Sequence, residues 1–291
     1  MASTEIIRMK NYGKTIVFIF VVVVLTLLGW SFFSQNDRKN IIISDRMSDF
    51  IESIDQHKIA KNKMLIIFDL DDTLFMSSIM LGTPAWFYNM VNKLRISGIP
   101  SAEAYTVIGD IDRIVQEYAL VVAVEPTTLN AIRRWQLEGA MVVALTSRPI
   151  SFQSITDEHL EQINIDFSIP VFSCIEQEWD LSVGGFNNGV IYVGDNLSKG
   201  QAFQQFYERT LACGMKIDLV AQADDQQRYV VEIANLAKNE GLAFMGLIYG
   251  GALALREFNI DEANRQLHEL EKNLGRSIIP EQYRKEFAYN N

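Results

Sequence analysis

Cysteine, histidine and basic charge are all scarce in this chain, and each scarcity removes a class of function. The 291 residues include two cysteines, Cys174 and Cys213. They lack the close spacing of a metal-binding motif, and two thiols make no disulfide framework. The three histidines, His57, His159 and His268, are scattered and read as surface or partly buried side chains rather than ligands. Lys and Arg number 26 against 36 Asp and Glu, a formal net charge of −10. That leaves no basic footprint to neutralise a nucleic-acid backbone, so nucleic acid is not an expected partner. A few donors in one cleft can still hold a single phosphate group. No internal repeat or low-complexity tract is evident. With 48% hydrophobic and 21% charged residues the chain is globular in composition, and long enough for one large domain with an insertion.

Long apolar runs are equally rare, with one exception. Residues 15–33, TIVFIFVVVVLTLLGWSFF, carry no charge and have the length of a helix that crosses a bilayer. Arg8, Lys10 and Lys14 precede the run, which favours a cytoplasmic segment at residues 1–14 and an exported remainder; Arg38 and Lys39 dilute that asymmetry. Two readings compete: an uncleaved signal anchor, and a secretory signal peptide cut near residues 29–34. The length of the run and the lack of an A-x-A site favour the anchor. Residues 34–46 read as a polar stalk. Export would place Cys174 and Cys213 where disulfides form, although their separation in sequence sets no distance between them.

Beyond the stalk, residues 47–60 carry apolar side chains at helical spacing (Phe50, Ile51, Ile54). The all-apolar run at 64–68 suits a strand covered on both faces. Similar runs fall at 140–145, at 217–221 in weaker form, and at 243–249. The stretches TTLNAIRRWQLEG and QQRYVVEIANLAKNEG, before the second run and after the third, are helical in pattern. This alternation predicts an α/β fold with a parallel sheet flanked by helices. Residues 75–125 are too many for one crossover helix. GTPAWFYNMVNKLRISG and SAEAYTVIGDIDRIVQEYALVV within them predict a helical cap insertion over about 76–125, lying across the sheet rim. After the second strand, GGFNNGVIYVGDN predicts a hairpin or a short extra strand, in a connection that also holds Asp195. A helix then begins at LSKGQAF, with Ser198 as its cap and Lys199 in its first turn. A lysine there opposes the helix dipole unless an anion sits beside it. The core domain is expected over 47–250, with a C-terminal helical extension at 251–291.

Polar residues cluster at the carboxyl ends of these strands. In LIIFDLDDTLF, Asp69, Asp71, Asp72 and Thr73 follow the first strand. Thr146, Ser147 and Arg148 follow the second, and Asp224 and Asp225 the third. In an open α/β sheet that edge is where ligands bind. Neighbouring carboxylates repel and are costly to bury, so a divalent cation at the rim would offset them. Asp72 reads as a solvent-facing or helix-capping charge. Arg148 fits either a phosphate ligand or a surface charge. Lys216 and Lys238 begin no helix as clearly as Lys199 does.

DLDDT resembles the D-x-D-x-T signature of the haloacid dehalogenase (HAD) superfamily. Thr146, Lys199 and Asp224–Asp225 resemble its second, third and fourth motifs, in the same order and strand contexts. VEPTTLNAIRRWQLEGAMVVALTSRP, GDNLSKGQAF and GLAFMGLIYG resemble a bacterial branch of that superfamily labelled as domains of unknown function. The resemblance covers roughly residues 47–249. It implies a HAD-like Rossmannoid sheet and a phosphomonoester hydrolase that works through an aspartyl-phosphate. Asp69 would be the nucleophile, and Asp71 the acid and base. Thr146, Ser147 and Lys199 would bind the phosphate of a small substrate. Mg²⁺ would be held by Asp69, Asp71, Asp224 and Asp225, with Asp71 contributing its backbone carbonyl. The dehalogenases of the superfamily lack an aspartate at the position of Asp71, so phosphoryl transfer is preferred. The domain would sit in the periplasm, tethered to a bacterial inner membrane, or be secreted after cleavage. A catalytically inactive binding or effector module and a phosphotransferase are the alternatives.

Overall fold

Four of the apolar runs become the parallel centre of a seven-stranded sheet. The computed structural model describes residues 40–168, 173–176, 179, 184–193 and 198–287. The expected anchor at 15–33 and Asp195 lie outside them; among the described residues no helix is long and apolar enough to cross a membrane. The sheet and its flanking helices belong to one compact unit, Ile42–Asn291.

In chain order, β1 (Ile41–Ser44) and α1 (Met47–Asp55) lead into β2 (Met64–Phe68). The cap segment holds β3 (Phe75–Ser77), α2 (Pro84–Ile96), α3 (Ser101–Tyr118) and β4 (Val121–Ala123). The chain returns through α4 (Pro126–Leu137), β5 (Met141–Thr146) and α5 (Gln153–Gln162). Next come α6 (Ser173–Glu176), the hairpin β6 (Gly185–Asn187) and β7 (Val190–Tyr192), and α7 (Lys199–Ala212). The core closes with β8 (Leu219–Asp224), α8 (Gln227–Asn239) and β9 (Ala243–Tyr249), followed by α9 (Gly251–Leu255), α10 (Ile260–Leu274) and α11 (Arg284–Phe287).

The sheet order is β1-β9-β8-β2-β5-β7-β6. Strands β9, β8, β2, β5 and β7 run parallel, and β6 pairs antiparallel with β7. Strand β2 is central, and its residues alternate between two apolar layers. Ile66 and Phe68 join the layer containing α1 and α4, while Leu65 and Ile67 join the layer containing α7 and α8. That is why it reads as a continuous apolar run. The β6–β7 pair is the expected hairpin, and it turns through Asn188 and Gly189. Asn188 and Gly189 both take positive φ, and a Cβ on Gly189 would strike the carbonyl oxygen of Phe167.

Four boundaries differ from expectation. The third strand is Leu219–Asp224 rather than 217–221. Its register runs from Met64↔Leu219 to Phe68↔Ala223, so the sheet extends to Asp224 and buries Gln222. Helix α1 stops at Asp55, short of residue 60, because residues 61–63 form a separate 3₁₀ turn into β2. Part of the expected stalk is strand β1, whose Ser44 carbonyl accepts from Gly250 N–H at 3.1 Å. The cap is the largest difference. It is rooted by the antiparallel pair β3–β4, which the sequence does not announce because three-residue strands carry little periodicity. Its apolar interior is also completed by the C-terminal extension. Trp86, Met90 and Leu94 of α2 and Ile108 and Ile111 of α3 share one core with Leu267, Ile279 and Phe287. Gln266 Oε1 accepts from Met80 and Leu81 N–H, both at 2.9 Å. The described part of the C-terminal extension, residues 251–287, therefore packs into the cap.

Cys174 and Cys213 form a disulfide, with Cα atoms 6.1 Å apart. It ties α6 to the C-terminal end of α7. Thirty-nine residues separate the two cysteines in sequence, and nothing in that spacing revealed the pairing.

Candidate active site

Strand β2 delivers Asp69 to the carboxyl edge of the sheet. Its N–H donates to Ala223 O at 3.0 Å, continuing the ladder with β8. Its carboxylate is almost fully buried. Lys199 Nζ donates to Asp69 Oδ1 at 2.5 Å and to Asp224 Oδ2 at 2.8 Å. Lys199 owes its position to a capping box: Ser198 Oγ accepts from Gln201 N–H, and the Gln201 side chain accepts from Ser198 N–H. That start to α7 aims the lysine inward, where it is 1% exposed.

Thr73 fastens the strand ends together. Its hydroxyl donates to Asp69 Oδ2 at 3.2 Å and accepts from Asp225 N–H at 3.2 Å. Asp224 also accepts from Gln226 N–H at 2.9 Å and from Gln222 Nε2 at 3.3 Å. Carboxylate oxygens of Asp69, Asp224 and Asp225 lie within 4.8 Å of one another. Burial and the neighbouring Asp224 and Asp225 push the Asp69 carboxyl well above its ordinary range, against the pull of Lys199. Burial and Asp224 push Asp225 up to about 6. Burial opposes the charge of Lys199, but Asp224 and Asp69 outweigh it and hold the ammonium protonated above the usual lysine range. One ammonium thus faces three carboxylates, a donor set that suits a divalent cation. Close-set hard oxygen donors of this kind suit Mg²⁺.

Asp71 stands apart from this group. Its carboxylate is gripped by Arg148, with Nε at 2.9 Å from Oδ2 and Nη2 at 2.8 Å from Oδ1. The metal contact expected of Asp71 is its backbone carbonyl, and both oxygens of its side chain are taken by the guanidinium fork. Burial alone would raise the Asp71 carboxyl, but Arg148 outweighs it and holds the group below its ordinary range. Arg148 is no surface charge. It is 8% exposed, its guanidinium lies 5.2 Å from the centre of the Phe75 ring, and Nη1 donates to Thr156 at 3.3 Å.

His159 completes the shell of Arg148 and corrects the reading of that histidine as peripheral. It is 1% exposed, with Nδ1 3.1 Å from Arg148 Nη1 and Nε2 3.2 Å from Gln116 O. Arginine can only donate, so Nδ1 accepts and Nε2–H donates to the carbonyl, which sets the neutral tautomer. Burial and Arg148 push the imidazole down to about 4. Gln116 belongs to α3, and its Nε2 donates to Gly82 O at 2.7 Å and to Asp112 Oδ1 at 3.2 Å. A chain of hydrogen bonds therefore runs from the cap through His159 and Arg148 to Asp71. The sequence marks Arg148 as a candidate but carries no signal for its partners, which come from three separate elements.

Of the expected phosphate ligands, Thr146 is fully buried as the last residue of β5, and its hydroxyl accepts from Arg148 N–H at 3.1 Å. Ser147 is exposed and donates to Tyr229 Oη at 3.3 Å. Tyr229, unmarked in the sequence, also lies with its ring centre 4.6 Å from Lys199 Nζ. Asp72 caps no helix. It turns the chain with φ +57°, is partly buried, and is pushed up to about 7 by burial, Asp71 and Asp225, against Arg256.

Fold and site together define an α/β protein with a carboxylate–lysine centre at the carboxyl edge of a mostly parallel sheet. The chain belongs to the family described as "Protein of unknown function (DUF2608)", which its residues 44–279 match. Among curated proteins it is 24% identical over 222 residues to a "Putative outer membrane protein" of Chlamydia trachomatis serovar D, covering 72% of this chain and 79% of that one. A Chlamydia pneumoniae protein of the same description is 25% identical over 232 residues, covering 75% and 82%. One from Chlamydia muridarum is 24% identical over 184 residues, covering 63% and 68%. No solved structure matches the chain.

Proposed function

We propose that the protein is a Mg²⁺-dependent phosphomonoester hydrolase of the HAD type, acting outside the cytoplasm. The observation that carries this reading is Lys199 held between Asp69 and Asp224 at the rim where D-x-D-x-T ends its strand. The Asp69 carboxylate attacks phosphorus, and the ester P–O bond breaks. Asp71 gives a proton to the departing alkoxide. Asp71 then takes a proton from water, whose oxygen attacks the aspartyl-phosphate and releases inorganic phosphate. Lys199 and Ser147 hold the phosphoryl oxygens, and Thr146 shapes the turn that carries Ser147 and Arg148. Mg²⁺ held by Asp69, Asp224, Asp225 and the Asp71 carbonyl would neutralise the phosphoryl charge beside the nucleophile. Asp71 acts as an acid only when Arg148 loosens its grip, and an arriving phosphate dianion competes for that guanidinium.

The same grip favours a second reading. An Asp71 that stays locked to Arg148 has no proton to give, and the fold would then serve as a binding or effector module. The test is phosphate release from an aryl phosphate by residues 35–291, with Mg²⁺ against EDTA and wild type against Asp69→Asn. Metal-dependent release that is lost in the variant supports the hydrolase. No release from folded protein, across pH and several divalent metals, supports the binding module.

An exported location has two supports. The Cys174–Cys213 disulfide is favoured in an oxidising compartment such as the periplasm. The names of the relatives also point to the envelope. The charge-free run at 15–33 would supply the tether.

A further inference from the structure

Cap and core meet beside Lys199 through aromatic rings. Tyr229, near the start of α8, has its ring centre 4.6 Å from Lys199 Nζ and 4.5 Å from Arg228 Cζ. Its hydroxyl accepts from Ser147 Oγ at 3.3 Å and from Arg228 Nη2 at 3.0 Å. From the cap, Tyr88 of α2 lies within electrostatic reach of Arg228, Tyr229 and Tyr105. Phe87 braces both cap tyrosines, edge-on to Tyr88 at 5.5 Å and tilted to Tyr105 at 6.1 Å. Yet Tyr88 is 49% and Tyr105 44% exposed. Rings that served only to pack cap on core would be buried; these keep half their surface open beside a buried charged centre.

We infer that this mouth is the leaving-group subsite, and that it takes a phosphomonoester whose leaving group carries a planar aromatic ring, such as a nucleobase. The inference rests on the hydrolase reading for the phosphate end of the ligand. Lys199 and Ser147, which hold the phosphate there, both touch Tyr229, so a substrate leaving the phosphate site toward the cap passes the Tyr229 ring and then Tyr88. Tyr88, Tyr105, Tyr229 and Arg228 offer ring faces, phenol hydroxyls and a planar cation, the groups on which a flat π-system stacks.

Adenosine 5′-monophosphate and ribose 5-phosphate differ here only in the base, so they isolate the subsite. Calorimetric titration of the full-length chain in detergent micelles with Mg²⁺ measures the affinity of each. Tighter binding of the nucleotide, by about tenfold or more, is expected from stacking. Tyr88→Ala combined with Tyr105→Ala should bring the ratio of the two affinities close to one. Tyr118→Ala, an exposed tyrosine at the end of the same cap helix as Tyr105, should preserve it. Equal affinities in the wild type, or binding of neither ligand, overturn the subsite. Phosphate release from both esters at the same kcat/KM, with equal affinities, would leave the hydrolase standing and remove the subsite. A nucleotide preference that collapses in the double variant, with no phosphate released from any ester, would do the reverse.

Discussion

Two buried ionic groups share the rim of this sheet, and they are built on opposite principles. Around Asp69, three carboxylates share one ammonium, and burial together with neighbouring carboxylates pushes Asp69 and Asp225 upward. Around Asp71, one guanidinium is satisfied on every side by a carboxylate, a hydroxyl and a neutral imidazole. Charge left over in a buried site is costly unless a ligand neutralises it, so the first group is suited to bind. The second group is already paired and loses order when one member is removed, so it is suited to hold Asp71 in place until an anion competes for the guanidinium.

The largest effect expected from breaking this contrast comes from Lys199→Met. It leaves Asp69 and Asp224 facing each other without a cation between them, and chemical denaturation should show a loss of about 3–5 kcal/mol. Added Mg²⁺ should recover part of that loss if the first group is a binding centre. No gain from Mg²⁺ in the variant or the wild type would count against the proposed ligand set.

The second group should reveal itself through pH. His159 has a folded pKa of about 4, below the unfolded value of about 6.5. The unfolded chain therefore binds the extra proton between those values. The stabilisation is fully present above about pH 6.5 and is lost as pH falls toward 4, by at most about 3 kcal/mol. Asp72, at about 7, and Asp225, at about 6, act with the opposite sign, weakening the fold as pH rises through the same range. The difference in stability between wild type and His159→Asn removes their contribution. That difference should grow from pH 4 to 6.5 and then level off; a flat difference would show that the imidazole is already charged in the fold.

Metal binding should separate the two groups cleanly. If the proposed site binds Mg²⁺, the ion at one hundred times its Kd should stabilise the fold by about 2.7 kcal/mol. Asp224→Asn should remove that gain. Asp71→Asn should keep it, because only the backbone carbonyl of Asp71 is assigned to the ion. The smallest effect is expected from Arg148→Lys, which keeps the charge but loses the fork on Asp71. It should cost about 1.5 kcal/mol and raise the Asp71 pKa, read by carboxyl-labelled NMR.

The legible features are those written in short local patterns. Met64–Phe68 and Ala243–Tyr249 match their expected strands because both carry uninterrupted apolar runs. Ser198 is visible as a helix cap because capping is a contact between near neighbours. Strand β8 starts at Leu219 and ends at Asp224, later at both ends than the expected 217–221. Its polar Gln222 is buried by sheet neighbours that no local pattern reports. The C-terminal extension gives no sign that its apolar face finishes the cap begun some 180 residues earlier, as in Tyr283 to Glu103.

The amino-acid sequence by itself determined that acidic side chains would gather at the ends of apolar strands, and that Lys199 would start a helix. Those outcomes follow from periodicity and capping, which act over a few residues. Only the tertiary structure decided which charges became partners. Asp71 and Arg148 lie 77 residues apart, and Lys199 and Asp69 lie 130 apart. Ion pairing falls off within a few ångströms, so those choices are made by the parallel sheet that brings distant strand ends to one edge.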